Sequence, residues 1–381
     1  MNKFLCRLLA LLLLPALSPA LSPALPPVLQ PVPAREANKE SAPPMEYAVV
    51  TPGMPLVFPR DHGAHPAFRT EWWYATGHLQ TASGKALGFQ LTFFRSRSGI
   101  GEANQTRNGS RFAPAQILFA HAAIAYPALG RLRHDERVAR AGFGVGTQTE
   151  KLDVALEGWT LRMDQQTMQA HIPARDFTLD LRLSASRPPL LQGDQGYSRK
   201  GPQPGQASYY VSLPQLAVNG SVVIDGKRED VSGTAWFDHE WSSEYLAAEA
   251  TGWDWLGANL DDGGALMAFR MRGQDGSAIW AGGTRMQANG RSQALGPDEI
   301  AFTPLRTWRS PRTGASWPVA MTVRAGKESF ELQPWMDDQE LDSSRSTGIT
   351  YWEGAVDVLQ NKVRRGRGYL ELTGYAQALR F

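Results

Sequence analysis

The chain of 381 residues contains a single cysteine, Cys6. Disulfide bonds, a catalytic thiol and thiolate metal ligation all need cysteine, so the sequence beyond the amino terminus excludes them. Cys6 also precedes the apolar segment that begins at Leu8, which is not where a lipid-modified cysteine would stand. The protein therefore has to fold and function without thiol chemistry.

Neither sign of charge is in excess, since 39 Lys and Arg residues stand against 37 Asp and Glu residues. Nucleic acids require a basic surface, so they are not expected partners. The sequence also lacks a P-loop, a Rossmann glycine fingerprint, a G-x-S-x-G elbow and an H-E-x-x-H helix. What is frequent instead is tryptophan, with 12 copies, which suits both β-sheets and apolar ligand pockets.

The apolar run at residues 8–17 is shorter than the roughly 20 residues that a membrane-spanning helix needs. Basic residues precede it and small residues, including Ala20 and Ala24, follow it, which is the pattern of a secretory signal peptide. We expect residues 1–24 to be that signal and the protein to be periplasmic or secreted. An uncleaved membrane anchor is the alternative. Residues 25–44 are rich in Pro and Ala and predict a linker.

From Thr70 onward, short apolar or alternating runs are separated by Gly, Asn, Asp and Ser, as successive antiparallel strands are. The dipeptide Asp225-Gly226 between two such runs is a hairpin signal. Leucines at 179, 181 and 183 alternate with charged residues, which gives a strand one buried and one solvent-exposed face. These patterns predict an all-β protein, either a barrel or a sandwich.

A repeated sequence pattern indicates two copies of one β module. Trp72-Trp73-Tyr74 leads after a fixed interval to Leu79, and Trp253-Asp254-Trp255 leads after the same interval to Leu260. In both copies a turn and a second apolar run ending in Arg follow. Gly and Pro crowd together at residues 201–205, so the sequence predicts two domains, 45–205 and 206–381.

The densest polar cluster inside a strand-like segment is at residues 236–243. Strand alternation places Phe237, His239 and Trp241 on one face and Trp236, Asp238 and Glu240 on the other. His239 beside Trp241 could line a pocket. The alternatives are a strand end whose charges are solvated and a core histidine with satisfied hydrogen bonds.

Asp254 is the second candidate, because it shares a strand face with Leu256, Ala258 and Leu260. A carboxylate on an apolar face must be hydrogen-bonded, paired, or held protonated with a raised pKa. A protonated Asp can act as a general acid. The alternative is an Asp that binds loop amides at the start of the strand.

His62 and His65 stand three residues apart in a segment with Pro59, Gly63 and Pro66. Zinc could use them together with Glu71, His121 or Glu240. The Pro and Gly residues favour a loop, and Glu71 is expected to pair with Arg69, Arg95 or His62. We therefore expect no metal site.

Longer motifs resemble the family of AttH-like proteins and carotenoid 1,2-hydratases. They are RTEWWYATGHL at residues 69–79, GFQLTFFR at 88–95, GTAWFDHEW at 233–241 and GWDW at 252–255. The similarity runs from about Phe58 to Tyr375. It implies two tandem lipocalin-like, calycin-type antiparallel β-barrel domains.

The resemblance also implies two functions. The hydratases of the family add water to an isoprenoid double bond without a cofactor, which would make Asp254, His239 and Trp241 catalytic here and require no cofactor. The AttH-like members are secreted and are linked with ABC-type exporters, which implies a lipid carrier or export accessory protein in contact with a transporter or a membrane surface. Either way we expect a lipophilic small molecule in a β-barrel cavity, bound by Trp73, Tyr74, Trp253 and Trp255.

Overall fold

A computed structural model describes residues 46–99, 114–244 and 246–379 of this chain. Strands β1 to β13 form the first antiparallel sheet: Thr70–Thr81, Ala86–Arg97, Gln116–Ala125, Arg133–Arg140, Gly146–Thr147, Asp153–Leu156, Trp159–Asp164, Thr167–Pro173, Phe177–Ser184, Leu190–Leu191, Tyr197–Arg199, Ala207–Ile224 and Lys227–Glu244. Strands β14 to β23 form the second: Ala250–Leu260, Ala265–Gly273, Ala278–Met286, Ser292–Leu295, Ile300–Arg309, Ser316–Ala325, Glu328–Pro334, Glu340–Ser343, Ile349–Gln360 and Val363–Leu372.

Each sheet curls into a half-barrel, and the two have the same strand order. The first runs β4-β3-β2-β1-β13-β12-β9-β8-β7 and continues to β6 and β5, and the second runs through the equivalent strands β17-β16-β15-β14-β23-β22-β20-β19-β18. Strands β1 and β14, which hold the two tryptophan motifs, therefore occupy equivalent places. This confirms the predicted all-β class with tandem lipocalin-like halves.

The change from one sheet to the other lies between Glu244 and Ala250, not at residues 201–205. Strands β12 and β13 follow the Gly- and Pro-rich segment, yet they pair with β9 and β1 of the first sheet. The predicted boundary between residues 205 and 206 thus differs from the sheet topology. A loop rich in Gly and Pro marks a turn, but it does not show which sheet the next strand joins.

The two turn residues between β12 and β13 explain why these long strands pair as a hairpin. Asp225 and Gly226 both have positive φ, 52° and 76°, and Ile224 pairs directly with Lys227 across them. Two consecutive left-handed residues make the two-residue turn that matches the twist of the flanking strands. The Asp-Gly hairpin predicted from the sequence is confirmed.

Strand alternation gives each half-barrel its own apolar core and leaves a third core between them. Leu256, Ala258 and Leu260 of β14 pack inside the second half, whereas Trp255 packs between the halves together with Tyr74 and Trp236 of the first. The halves approach closely where Gly88 meets Tyr369; a Cβ on Gly88 would lie 2.5 Å from that hydroxyl. The site described below lies within this junction.

Residues 1–24 and 25–44, which the sequence assigns to a signal peptide and a linker, lie outside the described residues. Within the described ranges, no helix has the length and apolar character needed to cross a membrane.

Candidate functional site

A cavity of about 340 Å³ lies in the junction between the two half-barrels. Residues of β1 and β13 line it from the first sheet, and residues of β14, β15, β22 and β23 line it from the second. This volume is near the lower end for small-molecule sites. Its aromatic lining consists of Trp72, Tyr74, Phe94, Phe119, Tyr210, Trp253, Trp255, Phe269 and Tyr351.

Two glutamates from the second half face this aromatic space as a pair. Glu353 of β22 and Glu371 of β23 stand directly opposite each other on neighbouring strands. Glu353 is buried and accepts a hydrogen bond from the Tyr74 hydroxyl, while Glu371 remains partly accessible. Because like charges repel, ionisation of one carboxyl disfavours ionisation of the other.

The pKa values of both glutamates are raised accordingly. Burial, together with the charge of Glu371, raises the pKa of Glu353 well above its usual range. Burial raises the pKa of Glu371 to about 7, against a hydrogen bond from Trp253 that lowers it. The cavity therefore contains a carboxylic acid that is protonated near neutral pH.

Asp238 of β13 also lines the cavity, but its oxygens are occupied. Ser212 Oγ and Trp236 Nε1 donate to Oδ1 at 2.5 and 2.7 Å, and the Tyr210 hydroxyl donates to Oδ2 at 2.6 Å. Burial raises the pKa of Asp238 to about 7 although these three donors oppose the shift. Since all its neighbours donate, Asp238 is better suited to accept hydrogen bonds than to give up a proton.

Glu240 is neutralised by Lys200, whose Nζ lies 2.9 Å from Oε1. Lys200 Nζ also lies 4.4 Å from the ring centroid of Tyr210 and 4.2 Å from that of Phe269, both within cation–π distance. Both charged groups are buried. The lysine is thus held by the wall of the cavity and is not available to pair with an anionic ligand.

A loop of the second half meets the first half beside the cavity. Ser346, which lines the cavity, donates its backbone N–H to Glu136 Oε2 at 3.0 Å, and Arg345 Nε lies 2.9 Å from Oε1 of the same carboxylate. His121 lies between Tyr351 and Ser346, with ring nitrogens 2.8 and 2.9 Å from the two hydroxyl oxygens. Burial lowers the pKa of His121 to about 4, so the ring is neutral.

Asp254 does not face the cavity. It points into the second half-barrel, where Arg270 Nε lies 2.6 Å from Oδ2, and Arg272 Nε and the Tyr375 hydroxyl lie 3.0 Å from Oδ1. Both oxygens are therefore occupied by donors, and the side chain is fully buried. The proton-donor role that the resemblance implied for Asp254 lacks the required access, because strand alternation turns it away from Trp253 and Trp255.

His239, Trp241 and Trp73 lie on the faces of β13 and β1 that point into the first half-barrel. The His239 ring stacks on Trp73 at a centroid distance of 5.0 Å and lies 4.6 Å from Trp241. None of the three lines the junction cavity. The predicted catalytic pair, His239 and Trp241, and the predicted ligand contact, Trp73, thus lie on the strand face opposite to the cavity. Both faces of these strands are buried, so the sequence does not show which face borders the cavity.

Tyr74, Trp253 and Trp255 do line the cavity, so the sequence identified part of its wall. It missed the glutamate pair. The available signal was a Glu inside each of two apolar segments, YWEGAV at 351–356 and YLEL at 369–372, where an unpaired carboxyl is unexpected.

The first half-barrel also contains a cluster of potential metal ligands, one of which, Glu71, borders the junction cavity. His65, Glu71 and His239 each offer one ligand atom, and the three atoms lie within 4.8 Å of one another. The sequence predicted no metal site, because His65 and His62 stand in a loop. It could not show that the pairing of β1 with β13 places His239 next to Glu71.

Comparisons with known proteins agree with this architecture. The family model of AttH-like proteins matches residues 49–375. A crystal structure of an AttH-type protein from Nitrosomonas europaea is 50% identical, covers 86% of this chain and 99% of that one, and has a TM-score of 0.81. Kievitone hydratase from Nectria haematococca is 14% identical, covers 88% and 97%, and has a TM-score of 0.66. A search of curated proteins gave no match.

Proposed function

Because this chain belongs to the AttH-like family, whose fold it shares with a hydratase, we propose that its junction cavity binds a small neutral alkene and adds water to it. The facing carboxyls of Glu353 and Glu371 inside an aromatic cavity are the observation that carries the proposal. The likeness to kievitone hydratase supports the fold alone at 14% identity. The chemistry is argued from the residues of this chain.

The first step is protonation of the alkene. The acid of the pair gives its proton to one alkene carbon, and the π electrons form the new C–H bond. The adjacent carbon becomes a carbocation, which the faces of Trp72, Trp253 and Trp255 stabilise by cation–π attraction. Glu353 is the member of the pair that holds the proton, because it is the more deeply buried carboxyl.

The second step is attack by water. A water molecule forms a C–O bond to the carbocation and loses a proton to the carboxylate of the pair, so that the pair recovers the proton it gave. The sum is one alkene plus one water giving one alcohol, and no redox partner is needed. Dehydration is the same path in reverse.

Cavity size and charge limit the substrate. About 340 Å³ is too small to enclose a long polyene, so only the end of such a molecule would enter. Among the described residues that line the cavity, the cations Lys200 and Arg95 are already paired with Glu240 and Glu71. A neutral lipophilic molecule with a terminal isoprenoid group fits these conditions better than a fatty acid or a phospholipid headgroup.

The place of action is proposed from the amino-terminal sequence. Residues 1–24 have the composition of an export signal, which supports action outside the cytoplasm. A carrier or export accessory role beside an ABC-type transporter would use the same cavity without the acid.

The test is hydration of geraniol, a short isoprenoid, in water labelled with heavy oxygen. Wild type should form a labelled tertiary alcohol. Glu353→Gln and Glu371→Gln should each lower the rate by at least about 100-fold, the contribution of a general acid. Quenching of tryptophan fluorescence should show that binding persists.

Glu331→Gln is the matched control, because Glu331 lies in β20 of the same sheet and away from the cavity. Its rate should equal that of wild type. Binding without any labelled alcohol from wild type would identify a carrier and overturn hydration. Loss of rate in the control as large as in the pair variants would also overturn it.

A further inference from the structure

The cluster of His65, Glu71 and His239 poses a problem of proton placement. His239 Nδ1 lies 3.1 Å from the backbone carbonyl oxygen of Asp61, which can only accept, so Nδ1 carries a proton. In a neutral ring Nε2 then presents a lone pair. That lone pair faces Glu71 Oε1 at 2.9 Å, which is also an acceptor. A positive centre is needed between the two atoms.

The same carboxylate oxygen receives a second imidazole. His65 Nδ1 lies 2.8 Å from Glu71 Oε1, and its far nitrogen, Nε2, lies 3.6 Å from the carboxylate of Asp61. Each histidine thus directs one nitrogen toward Glu71 and the other toward an oxygen of Asp61. Metal-binding histidines have this arrangement, in which the outer nitrogen is oriented by a carbonyl or carboxylate.

Buried donors beside the cluster lack partners within the described residues. Trp241 Nε1 is one, and its ring stacks on His65 with centroids 3.8 Å apart. Arg95 Nη1 is another, although Nε of the same guanidinium binds Glu71 Oε2 at 2.8 Å. Unpaired buried N–H groups are costly unless something that the protein binds satisfies them.

We propose that His65, Glu71 and His239 bind a divalent first-row transition ion of the zinc class. Two imidazole nitrogens and one carboxylate oxygen form a three-ligand set that leaves one position of a tetrahedral ion open. Trp241 and Arg95 would donate to the water or anion in that position. The ion replaces the proton that would otherwise separate His239 from Glu71.

The site has a structural consequence. His65 belongs to the segment before β1, whereas Glu71 lies in β1 and His239 in β13. One ion would therefore join residues far apart in the sequence and fix the segment that contains the 3-10 helix Arg60–His62. This role does not depend on the proposed hydration.

The experiment is calorimetric titration of the chelator-treated full chain with Zn²⁺. Wild type should bind one ion per chain. His65→Gln should weaken binding by at least about 100-fold, more than the 10- to 100-fold that loss of an outer partner causes. His65 suits substitution because it lies in a loop, and its backbone N–H still donates to Glu71.

His171→Gln is the matched control, since His171 is an exposed histidine paired with Asp180 at 2.5 Å on β8. It should bind Zn²⁺ as wild type does. Nitrogen NMR of His239 supplies a readout that does not require a variant: with Zn²⁺ present, Nε2 should carry metal and not a proton. Protons on both ring nitrogens in excess Zn²⁺, or equal affinity in wild type and His65→Gln, would overturn the site.

Discussion

The two half-barrels place a carboxylate and an arginine at equivalent positions and surround them differently. Glu71 of β1 stands opposite Arg95 of β2, and Asp254 of β14 stands opposite Arg270 of β15. The pair of the second half is turned away from the junction cavity, whereas Glu71 and Arg95 also border it. In the first half two histidines complete the cluster, whereas in the second half Arg272 and Tyr375 do so.

The alignment of the two halves by strand pairing differs by two residues from the alignment by the repeated sequence pattern. The sequence pattern aligns Trp72 with Trp253, whereas the strand pairing sets Trp72 opposite Phe94 and Trp255 opposite Phe269. By pairing, Glu71 matches Asp254. The repeated module therefore has an ion pair between its tryptophan strand and the next strand in both halves, and the residues around that pair differ.

The largest effect is expected from Asp254→Asn. Removing the charge leaves Arg270 and Arg272 without a full partner inside the half-barrel, and breaking a buried pair on one side costs about 3–5 kcal/mol. Urea unfolding should show that loss of free energy. Hydration by the folded fraction should be unchanged, because Asp254 does not line the cavity.

Asp357→Asn is the control for this prediction. Asp357 faces Arg367 across neighbouring strands of the same sheet at 3.7 Å, and the two side chains are 37% and 40% exposed, so its loss should cost less than about 1 kcal/mol. If Asp254→Asn instead kept full stability and lost turnover, the assignment of a structural role to Asp254 would be wrong.

A smaller effect concerns pH and the glutamate pair. Folding raises the pKa of Glu371 from 4.5 to about 7, so between these values the folded protein binds more protons than the unfolded chain. Stability is then fully present below about pH 4.5 and is lost as the pH rises through 7. The expected loss is on the order of 2 kcal/mol, since Glu371 stays partly accessible to water.

Glu371→Gln should make this dependence less steep, while Glu353 and Asp238, whose pKa values are also raised, keep the rest of it. Urea unfolding at a series of pH values would measure the change in slope. The charged groups that act on Glu371 are Glu353, Glu240 and Asp238, and all three remain in the variant. A slope unchanged by Glu371→Gln would contradict the raised pKa of Glu371.

The sequence was sufficient for the fold because its signals are local. Alternation in β13 correctly separated Phe237, His239 and Trp241 from Asp238 and Glu240, and Asp225-Gly226 correctly predicted a hairpin. The sequence did not show at which residue the first half ends, because the partner of a strand is set by contacts with residues far away in the sequence.

The site was only partly predictable for a related reason. Where both faces of a strand are buried, alternation tells which residues share a face but not which face borders the cavity. The sequence therefore predicts His239 and Trp241 as site residues, although Asp238 is the one that lines the cavity. Glu353 and Glu371 become a pair only through the register of β22 with β23, which a single sequence does not reveal.

The smallest effect in this comparison is expected from Tyr375→Phe. The Tyr375 hydroxyl donates to Asp254 Oδ1 at 3.0 Å, and the ring lies 3.8 Å from the Arg272 guanidinium carbon. Phenylalanine keeps the cation–π contact and removes one donor of three, so urea unfolding should show a loss of about 1 kcal/mol. In the background of Asp254→Asn the same change should cost less, because the two groups share one network and their effects are not additive. An equal cost in both backgrounds would mean that the hydroxyl acts independently of Asp254, and the second half would then lack the closed network that distinguishes it from the histidine cluster of the first.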